Sequence, residues 1–113
     1  LEDSQGENPV VFQIKEFIQQ NYAAPSLSVP DVSEHVHLSP SYVCTVFKNE
    51  TGQTLNQYLT DYRIKMSKQF LSDPRYKIAD ISSKVGYSDG NYYSKAFKKI
   101  VGLSPSEYRE KML

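Results

Sequence analysis

The sequence predicts an all-α fold of seven helices that form two helix-turn-helix subdomains joined by a long linking helix. Apolar residues recur at helical spacing in every structured segment, and no segment shows the alternation expected of a strand. A residue able to cap a helix precedes most of these segments. One pattern also occurs twice, about fifty residues apart, which indicates that the same small unit was built twice.

The repeat preserves apolar positions and turn residues together. Val-Pro-Asp-Val-Ser-Glu-His-Val-His-Leu-Ser, from Val29, matches Ile-Ala-Asp-Ile-Ser-Ser-Lys-Val-Gly-Tyr-Ser, from Ile78. After one extra residue in the second copy, five residues recur in the same order. They are Tyr42, Phe47, Lys48, Gly52 and Tyr58, which recur as Tyr92, Phe97, Lys98, Gly102 and Tyr108.

Four helices are predicted in the first half, starting at Asn8-Pro9, Ser28, Ser39-Pro40 and Thr54. Ser28 with Asp31 and Thr54 with Gln57 resemble capping boxes. The residues predicted to face the core are Val11, Ile14, Ile18 and Tyr22; Val29, Val32 and Val36; Tyr42, Val43, Val46 and Phe47; and Leu55, Tyr58, Tyr62, Met66 and Phe70.

Three further helices repeat the scheme in the second half. We expect the middle one to start at Ser88 and to end at Gly102, and Ser104 with Glu107 to cap the last. The residues predicted to face the core are Ile78, Ile81 and Val85; Tyr92, Tyr93, Ala96 and Phe97; and Tyr108.

These boundaries predict four segments. Residues 1–7 are polar and unpatterned, and the chain starts with Leu, so we expect them to be disordered or linker residues of a longer protein. The first helix-turn-helix subdomain covers 8–53, the linking helix 54–72, and the second subdomain 73–113.

Bulk composition restricts the class of protein. The 113 residues contain one cysteine, Cys44, so no disulfide forms within the chain. No run of about 18 apolar residues and no export signal is present, which predicts a soluble, cytoplasmic protein.

Charge is distributed unevenly although the formal net charge is zero. Residues 1–37 hold six acidic residues against one lysine, whereas residues 38–113 hold twelve basic residues against seven acidic ones. The distribution of charge over a protein, and not its net charge alone, determines whether it attracts a polyanion. The excess of basic residues in 38–113 is therefore compatible with nucleic-acid binding.

The helices that start at Ser28 and Ser39 are short, and about three residues around His37 join them. Their apolar faces must pack on each other, which predicts a helix-turn-helix of homeodomain-like type. The second helix of such a unit presents its outer face to the DNA major groove. Gly86 lies in the second turn and suits a positive φ angle, and His37 takes its place in the first.

The outward residues of the two recognition helices are short, polar or basic side chains, which suit base edges and phosphates. The base-reading candidates are Ser41, Cys44, Thr45, Asn49, Asn91, Ser94 and Lys95. The phosphate candidates are Ser39, Lys48, Ser88, Lys98 and Lys99; for Ser39 and Ser88, phosphate contact would add to helix capping.

The linking helix from Leu55 to Leu71 is about 25 Å long at the rise of an α-helix. Such a helix suits two recognition helices about one DNA turn, roughly 34 Å, apart. Because the two outward faces differ, we expect an asymmetric double-stranded DNA site.

Other interpretations are less favoured. The repeated aromatic residues suit base stacking in principle, but their helical spacing favours core packing. Cys44 with His35 and His37 lacks a third partner for metal binding or catalysis. We therefore expect no enzyme activity, no cofactor and no metal. The alternative function is a helical protein-interaction module that docks polymerase or a partner domain.

The segment Gly-Tyr-Ser-Asp-Gly-Asn-Tyr-Tyr-Ser-Lys-Ala-Phe-Lys-Lys-Ile-Val-Gly-Leu-Ser-Pro-Ser-Glu-Tyr-Arg, from Gly86 to Arg109, resembles the C-terminal signature of AraC/XylS-type bacterial transcription regulators. Leu-Ser-Pro-Ser-Tyr, Phe-Lys-x-Glu-Thr-Gly and Tyr-x-x-x-Tyr-Arg-Ile in the first half are also similar. The resemblance covers about residues 8–112. It implies two helix-turn-helix units in adjacent major grooves that activate or repress nearby promoters.

The resemblance also carries expectations for individual residues and partners. The base-reading positions of the family match the candidates given above, but many members carry Arg or Gln where this chain has Cys44 and Thr45. This difference implies weak direct readout by the first unit. Arg63 matches a structural position in the linking helix. The implied partners are RNA polymerase and an N-terminal sensory or receiver domain that this chain lacks.

Overall fold

The computed structural model describes residues 6–113, which form seven α-helices and no strand, as the sequence predicts. The helices are α1 (Pro9–Asn21), α2 (Val29–Val36), α3 (Pro40–Thr51), α4 (Leu55–Leu71), α5 (Ile78–Lys84), α6 (Gly90–Val101) and α7 (Pro105–Met112). Within these residues no helix combines the length and the apolar character needed to cross a lipid bilayer. The segment 1–7, predicted to be disordered or a linker, lies mostly outside the described residues.

The chain divides into two compact units. The first unit comprises the residues up to Asn21 together with Leu27–Leu59, and so contains α1, α2, α3 and the start of α4. The second unit comprises Tyr22–Ser26 and Thr60–Leu113, and so contains the rest of α4 with α5, α6 and α7. Each unit therefore contains one copy of the repeated helix pair.

Side chains satisfy the backbone N–H groups at most helix starts. Ser39 accepts a hydrogen bond from the Tyr42 N–H at 3.2 Å. The predicted capping boxes form at α4, where the Gln57 and Thr54 N–H groups donate to Thr54 Oγ1 and Gln57 Oε1, and between Ser104 and Glu107 at α7. These bonds satisfy donors that the first helical turn leaves without partners.

The start of α6 differs from the prediction. Asp89, rather than Ser88, is the N-cap residue, and its carboxylate accepts a hydrogen bond from the Asn91 N–H at 2.9 Å. The extra residue of the second copy moves the cap one position along the chain. A carboxylate is a strong cap because it also interacts favourably with the positive end of the helix dipole.

Each unit has its own buried set of apolar side chains. In the first unit, where α1, α2 and α3 pack on one another, the set is Val11, Ile14, Ile18, Val32, Val43, Phe47, Leu55 and Leu59. In the second unit it is Ile64, Leu71, Ile81, Val85, Tyr87, Tyr93 and Phe97.

Two tyrosines that were predicted to lie in the core are exposed. Tyr42 is 49% exposed and Tyr92 is 67% exposed, whereas the next residue in each helix, Val43 or Tyr93, is fully buried. Each exposed ring precedes the buried phenylalanine of its helix by five residues. Five residues rotate about 500° around a helix, which leaves the ring about 140° away from the phenylalanine.

The buried face of α4 also differs from the predicted one. Of the stripe Leu55, Tyr58, Tyr62, Met66 and Phe70, only Leu55 is buried. The buried residues of this helix are Leu55, Leu59, Arg63, Ile64, Ser67 and Leu71. Two of these buried residues, Arg63 and Ser67, are polar. A prediction based on apolar residues at helical spacing therefore chooses the neighbouring aromatic stripe and not the buried face.

Arg63 and Arg109 hold the chain segments that follow two helices. The Arg63 side chain is 8% exposed, and its Nε and Nη2 donate to Tyr22 O at 2.8 Å and Ala24 O at 2.9 Å, just after α1. The Nε and Nη2 of Arg109 donate to Leu71 O at 3.0 Å and Asp73 O at 3.2 Å, at the end of α4. The structural role expected of Arg63 is confirmed, and Arg109 repeats it.

Gly86 lies directly against the Arg63 guanidinium. A Cβ atom at Gly86 would lie 2.5 Å from Tyr22 O and 2.7 Å from Arg63 Nε. The φ angle of Gly86 is +98°, which also favours glycine. The Arg63 guanidinium also lies over the Tyr87 ring, 5.4 Å from its centroid, and burial lowers the pKa of Arg63. The site therefore requires a residue without a side chain.

We predict that Gly86→Ala lowers the free energy of unfolding by about 2 to 4 kcal/mol, because left-handed strain adds to a steric clash. Gly102→Ala is the matched control, since Gly102 has a φ angle of +90° and a Cβ atom added there would meet no heavy atom within 4 Å. It should cost about 1 kcal/mol, from strain alone. Urea unfolding of both variants measures the difference, and equal losses would contradict the steric account.

We predict that Phe97→Ala lowers the free energy of unfolding by about 3 to 5 kcal/mol, because the ring is fully buried. Tyr92→Ala, five residues earlier on the same helix, should change it by less than about 0.5 kcal/mol. Thermal unfolding of the two variants followed by circular dichroism makes the comparison. A stable, well-folded Phe97→Ala protein would show that this residue does not form the core.

Candidate nucleic-acid interface

The two helix-turn-helix turns adopt the same backbone conformation. One residue in each turn has a positive φ angle: His37, the C-cap of α2, at 58°, and Gly86, two residues after the end of α5, at 98°. The N–H of each of these residues donates to a carbonyl three residues earlier, at 3.3 Å to Glu34 O and 3.2 Å to Ser83 O. The expectation that His37 takes the place of Gly86 is thereby confirmed.

The next N–H in each turn donates to a carbonyl five residues earlier in the chain. Leu38 N donates to Ser33 O at 3.2 Å, and Tyr87 N donates to Ser82 O at 3.0 Å. Together with the first bond, this pattern is that of a Schellman motif, which ends a helix and redirects the chain. The direction in which each recognition helix leaves the turn is therefore fixed by backbone hydrogen bonds.

Two buried serines support the turns from inside. The Ser33 hydroxyl donates to Leu38 O, and the Ser82 hydroxyl donates to Tyr87 O at 3.3 Å. Ser33 is 8% exposed and Ser82 3% exposed. Neither serine was predicted to have a role, although the repeat places a serine at the same position of both copies. The available signal was the serine found at this position in both copies, beside the apolar residues predicted to face the core.

The outer face of α3 is polar and nearly uncharged. Four base-reading candidates are exposed on it, namely Ser41, Cys44, Thr45 and Asn49. Lys48 is exposed too, but its ammonium donates to Gly52 O at 3.0 Å at the C-terminal end of the helix. Ser39 caps the helix, and its hydroxyl oxygen is engaged by the Tyr42 N–H. This face therefore offers hydrogen-bonding groups and a thiol, with one cation at its end.

The outer face of α6 is basic. Asn91, Lys95, Lys98 and Lys99 are exposed, and the side beneath them carries the buried Tyr93 and Phe97. Ser94 is half-buried, which limits its reach, and Ser88 is exposed just before the Asp89 cap. Three lysines and an asparagine thus share the solvent side of one helix.

The net charges of the two units differ in the same direction as the outer faces of α3 and α6. The first unit contains seven acidic residues and two lysines, a net charge of −5. The second unit contains six acidic residues and eleven basic ones, a net charge of +5. A polyanion is attracted by the second unit and repelled by the first, before any specific contact forms.

Cys44 and His35 have different surroundings. Cys44 is exposed on α3, whereas the His35 ring stacks on Phe17 with centroids 4.3 Å apart. Among residues 6–113 no group of three or more His, Cys, Asp or Glu side chains is arranged to hold a metal ion. The histidine of α2 is therefore explained by packing against α1.

Comparison with known proteins places this geometry in a family. A family model described as a helix-turn-helix domain matches residues 32–111. The Msm operon regulatory protein of Streptococcus mutans is 38% identical over 102 residues, which cover 90% of this chain and 36% of that protein. The arabinose operon regulatory protein of Escherichia coli K12 is 36% identical over 94 residues, or 83% of this chain and 32% of that protein. This chain thus spans about a third of the length of these relatives.

A solved structure supports the same assignment. The C-terminal domain of AraT, a response regulator from Geobacillus stearothermophilus, matches with a TM-score of 0.89 and 32% identity, over 92% of this chain and 86% of that one. The resemblance carried by the Gly86–Arg109 segment is confirmed by these matches. This chain belongs to the AraC-type family of helix-turn-helix domains found in bacterial transcription regulators.

Proposed function

We propose that this chain binds double-stranded DNA in a sequence-specific manner and thereby regulates transcription. In this proposal α3 and α6 enter successive major-groove segments of one asymmetric site. The base-reading residues are Ser41, Cys44, Thr45 and Asn49 on α3, and Asn91, Ser94 and Lys95 on α6. Ser39, Lys48, Ser88, Lys98 and Lys99 contact phosphates.

The outer face of α6 carries the proposal. It exposes Asn91 and three lysines above a core of buried aromatic rings, at the end of a helix-turn-helix turn. Asparagine pairs with adenine through two hydrogen bonds, and lysine reaches guanine or phosphate. The net charge of +5 on the second unit adds a long-range attraction to DNA.

The two units contribute differently in this proposal. The second unit supplies most of the electrostatic binding free energy through its lysines. The first unit, with a net charge of −5, adds hydrogen bonds from Ser41, Thr45 and Asn49 and little counterion release. Removal of Lys98 and Lys99 from α6 should therefore weaken binding to every sequence more than removal of Lys48 from α3.

The family and the length of its members support a proposal of further partners beyond DNA. Because the matched residues cover only 36% and 32% of the two relatives, we propose an N-terminal sensory or receiver domain. AraT, described as a response regulator, supports a receiver. RNA polymerase is the proposed downstream partner, and the cytoplasm is the proposed location. The alternative function is a protein-interaction module. The net negative charge of the first unit favours this alternative for that unit.

Selection of bound duplexes from a random pool tests the function directly. A sequence-specific binder enriches one asymmetric site, whereas a protein-interaction module enriches none.

We predict a steep salt dependence of DNA affinity. The three lysines proposed to contact phosphates, Lys48, Lys98 and Lys99, should make binding about fortyfold weaker at roughly 200 mM than at 50 mM salt, because bound lysines release counterions. Lys98→Ala and Lys99→Ala should each lower the logarithmic salt slope by about one. Lys111→Ala is the matched control, since it removes the same charge from an exposed site on α7. A flat salt profile would exclude binding through phosphate contacts.

We predict that Lys95→Ala weakens binding to the preferred site by about 1 to 3 kcal/mol and relaxes selection at one base pair. Lys98→Ala should weaken binding to every sequence by a similar factor, since a phosphate contact carries no sequence information. Titration of both variants against the preferred site and a scrambled duplex separates the two roles. Equal loss on both duplexes would reassign Lys95 to a phosphate.

A further inference from the structure

We propose that Tyr92 determines specificity in the second unit, where its ring contacts the 5-methyl group of a thymine in the major groove. This inference rests on the proposed DNA binding. It adds a residue that the apolar pattern assigned to the core, and it names the chemical group that the residue recognises.

The exposure of Tyr92 is the first observation. The side chain is 67% exposed, more than any other large hydrophobic residue on the surface of the described part of the chain, while its neighbour Tyr93 is fully buried. Tyr42, which holds the same position relative to the buried Phe47, is 49% exposed. An exposed aromatic ring therefore occurs at the same place on both recognition helices, which a chance surface residue does not explain.

The position of Tyr92 on the helix is the second observation. Lys95 and Lys99 follow it by three and seven residues, so the three side chains lie on one side of α6. Tyr92 is the third residue of the helix, and in a helix-turn-helix the N-terminal residues of the recognition helix contact base edges. The ring thus lies where an inserted helix comes closest to the bases.

The Tyr92 ring also lies next to another aromatic ring of the second unit. Its centroid lies 6.1 Å from that of Tyr87, which is only 7% exposed and carries the Arg63 guanidinium 5.4 Å from its own centroid. Burial raises the pKa of Tyr87, so its ring stays neutral at physiological pH. A side chain that is held in place loses less conformational entropy when it binds.

The chemistry of the groove selects the thymine methyl group. Base pairs present hydrogen-bonding groups to the major groove, and the 5-methyl of thymine is the apolar group among them. An aromatic ring gains more by covering that methyl than by facing a carbonyl or amino group, which is better satisfied by a full hydrogen bond. A phosphate contact by the Tyr92 hydroxyl is the competing arrangement, and it would carry no sequence information.

Replacement of single thymines by deoxyuridine tests this inference, because it removes only the methyl group. With the full chain and the duplex selected from the random pool, one replacement should weaken wild-type binding about fourfold, the value of one buried methyl group. Tyr92→Ala should bind the thymine and deoxyuridine duplexes equally. Tyr92→Phe should keep the fourfold difference, since the ring remains.

Phe12→Ala is the matched control. Phe12 is an exposed aromatic residue on α1, 52% exposed, so its removal takes away similar surface outside the recognition helices. This variant should keep the wild-type response to deoxyuridine.

Three outcomes would overturn the inference. Wild-type binding that is insensitive to deoxyuridine at every thymine would exclude a methyl contact. A Tyr92→Phe variant that loses as much affinity as Tyr92→Ala would assign the hydroxyl to a phosphate. If wild-type protein enriches no duplex, the proposed function fails and this inference fails with it; specific binding without methyl sensitivity refutes this inference alone.

Discussion

The left-handed residue in the turn of each helix-turn-helix pair is the constraint on which both recognition helices depend. At His37 and Gly86 the chain turns sharply, and two backbone hydrogen bonds hold each turn. Since the recognition helix starts only a few residues later, its direction follows from that turn. A histidine has a small steric cost in this conformation, whereas Gly86 is also required by the atoms packed against it.

Buried polar side chains maintain this arrangement by binding backbone carbonyls. Ser33 and Ser82 donate to the turns, and Arg63 and Arg109 donate to the segments after α1 and α4. A buried carbonyl without a donor is costly, so these bonds fix where the chain leaves each helix. The duplication therefore repeats a polar framework together with the apolar core. The outward residues differ instead, with a nearly uncharged face on α3 and a basic face on α6.

Most of the fold could be predicted because its signals are local. Helix starts depend on a cap and the residues two or three positions after it, and the left-handed turn depends on one residue. The candidate site was predictable to the extent that outward positions follow from inward ones, and the exposed Asn91, Lys95, Lys98 and Lys99 agree with that inference. The prediction failed for Tyr42 and Tyr92, since an aromatic residue beside a core position was assigned to the core.

The sequence by itself determined seven helices, most of their caps, the repeated pair with its turn, and the separation of charge between the two halves. Tertiary structure alone decided which stripe of α4 is buried and which aromatic rings remain outside. The reason is that periodicity specifies the spacing of side chains around a helix, but the choice between adjacent stripes depends on which distant residues cover them. Arg63 shows this most clearly, because its burial depends on carbonyl groups some forty residues earlier in the chain, at Tyr22 and Ala24.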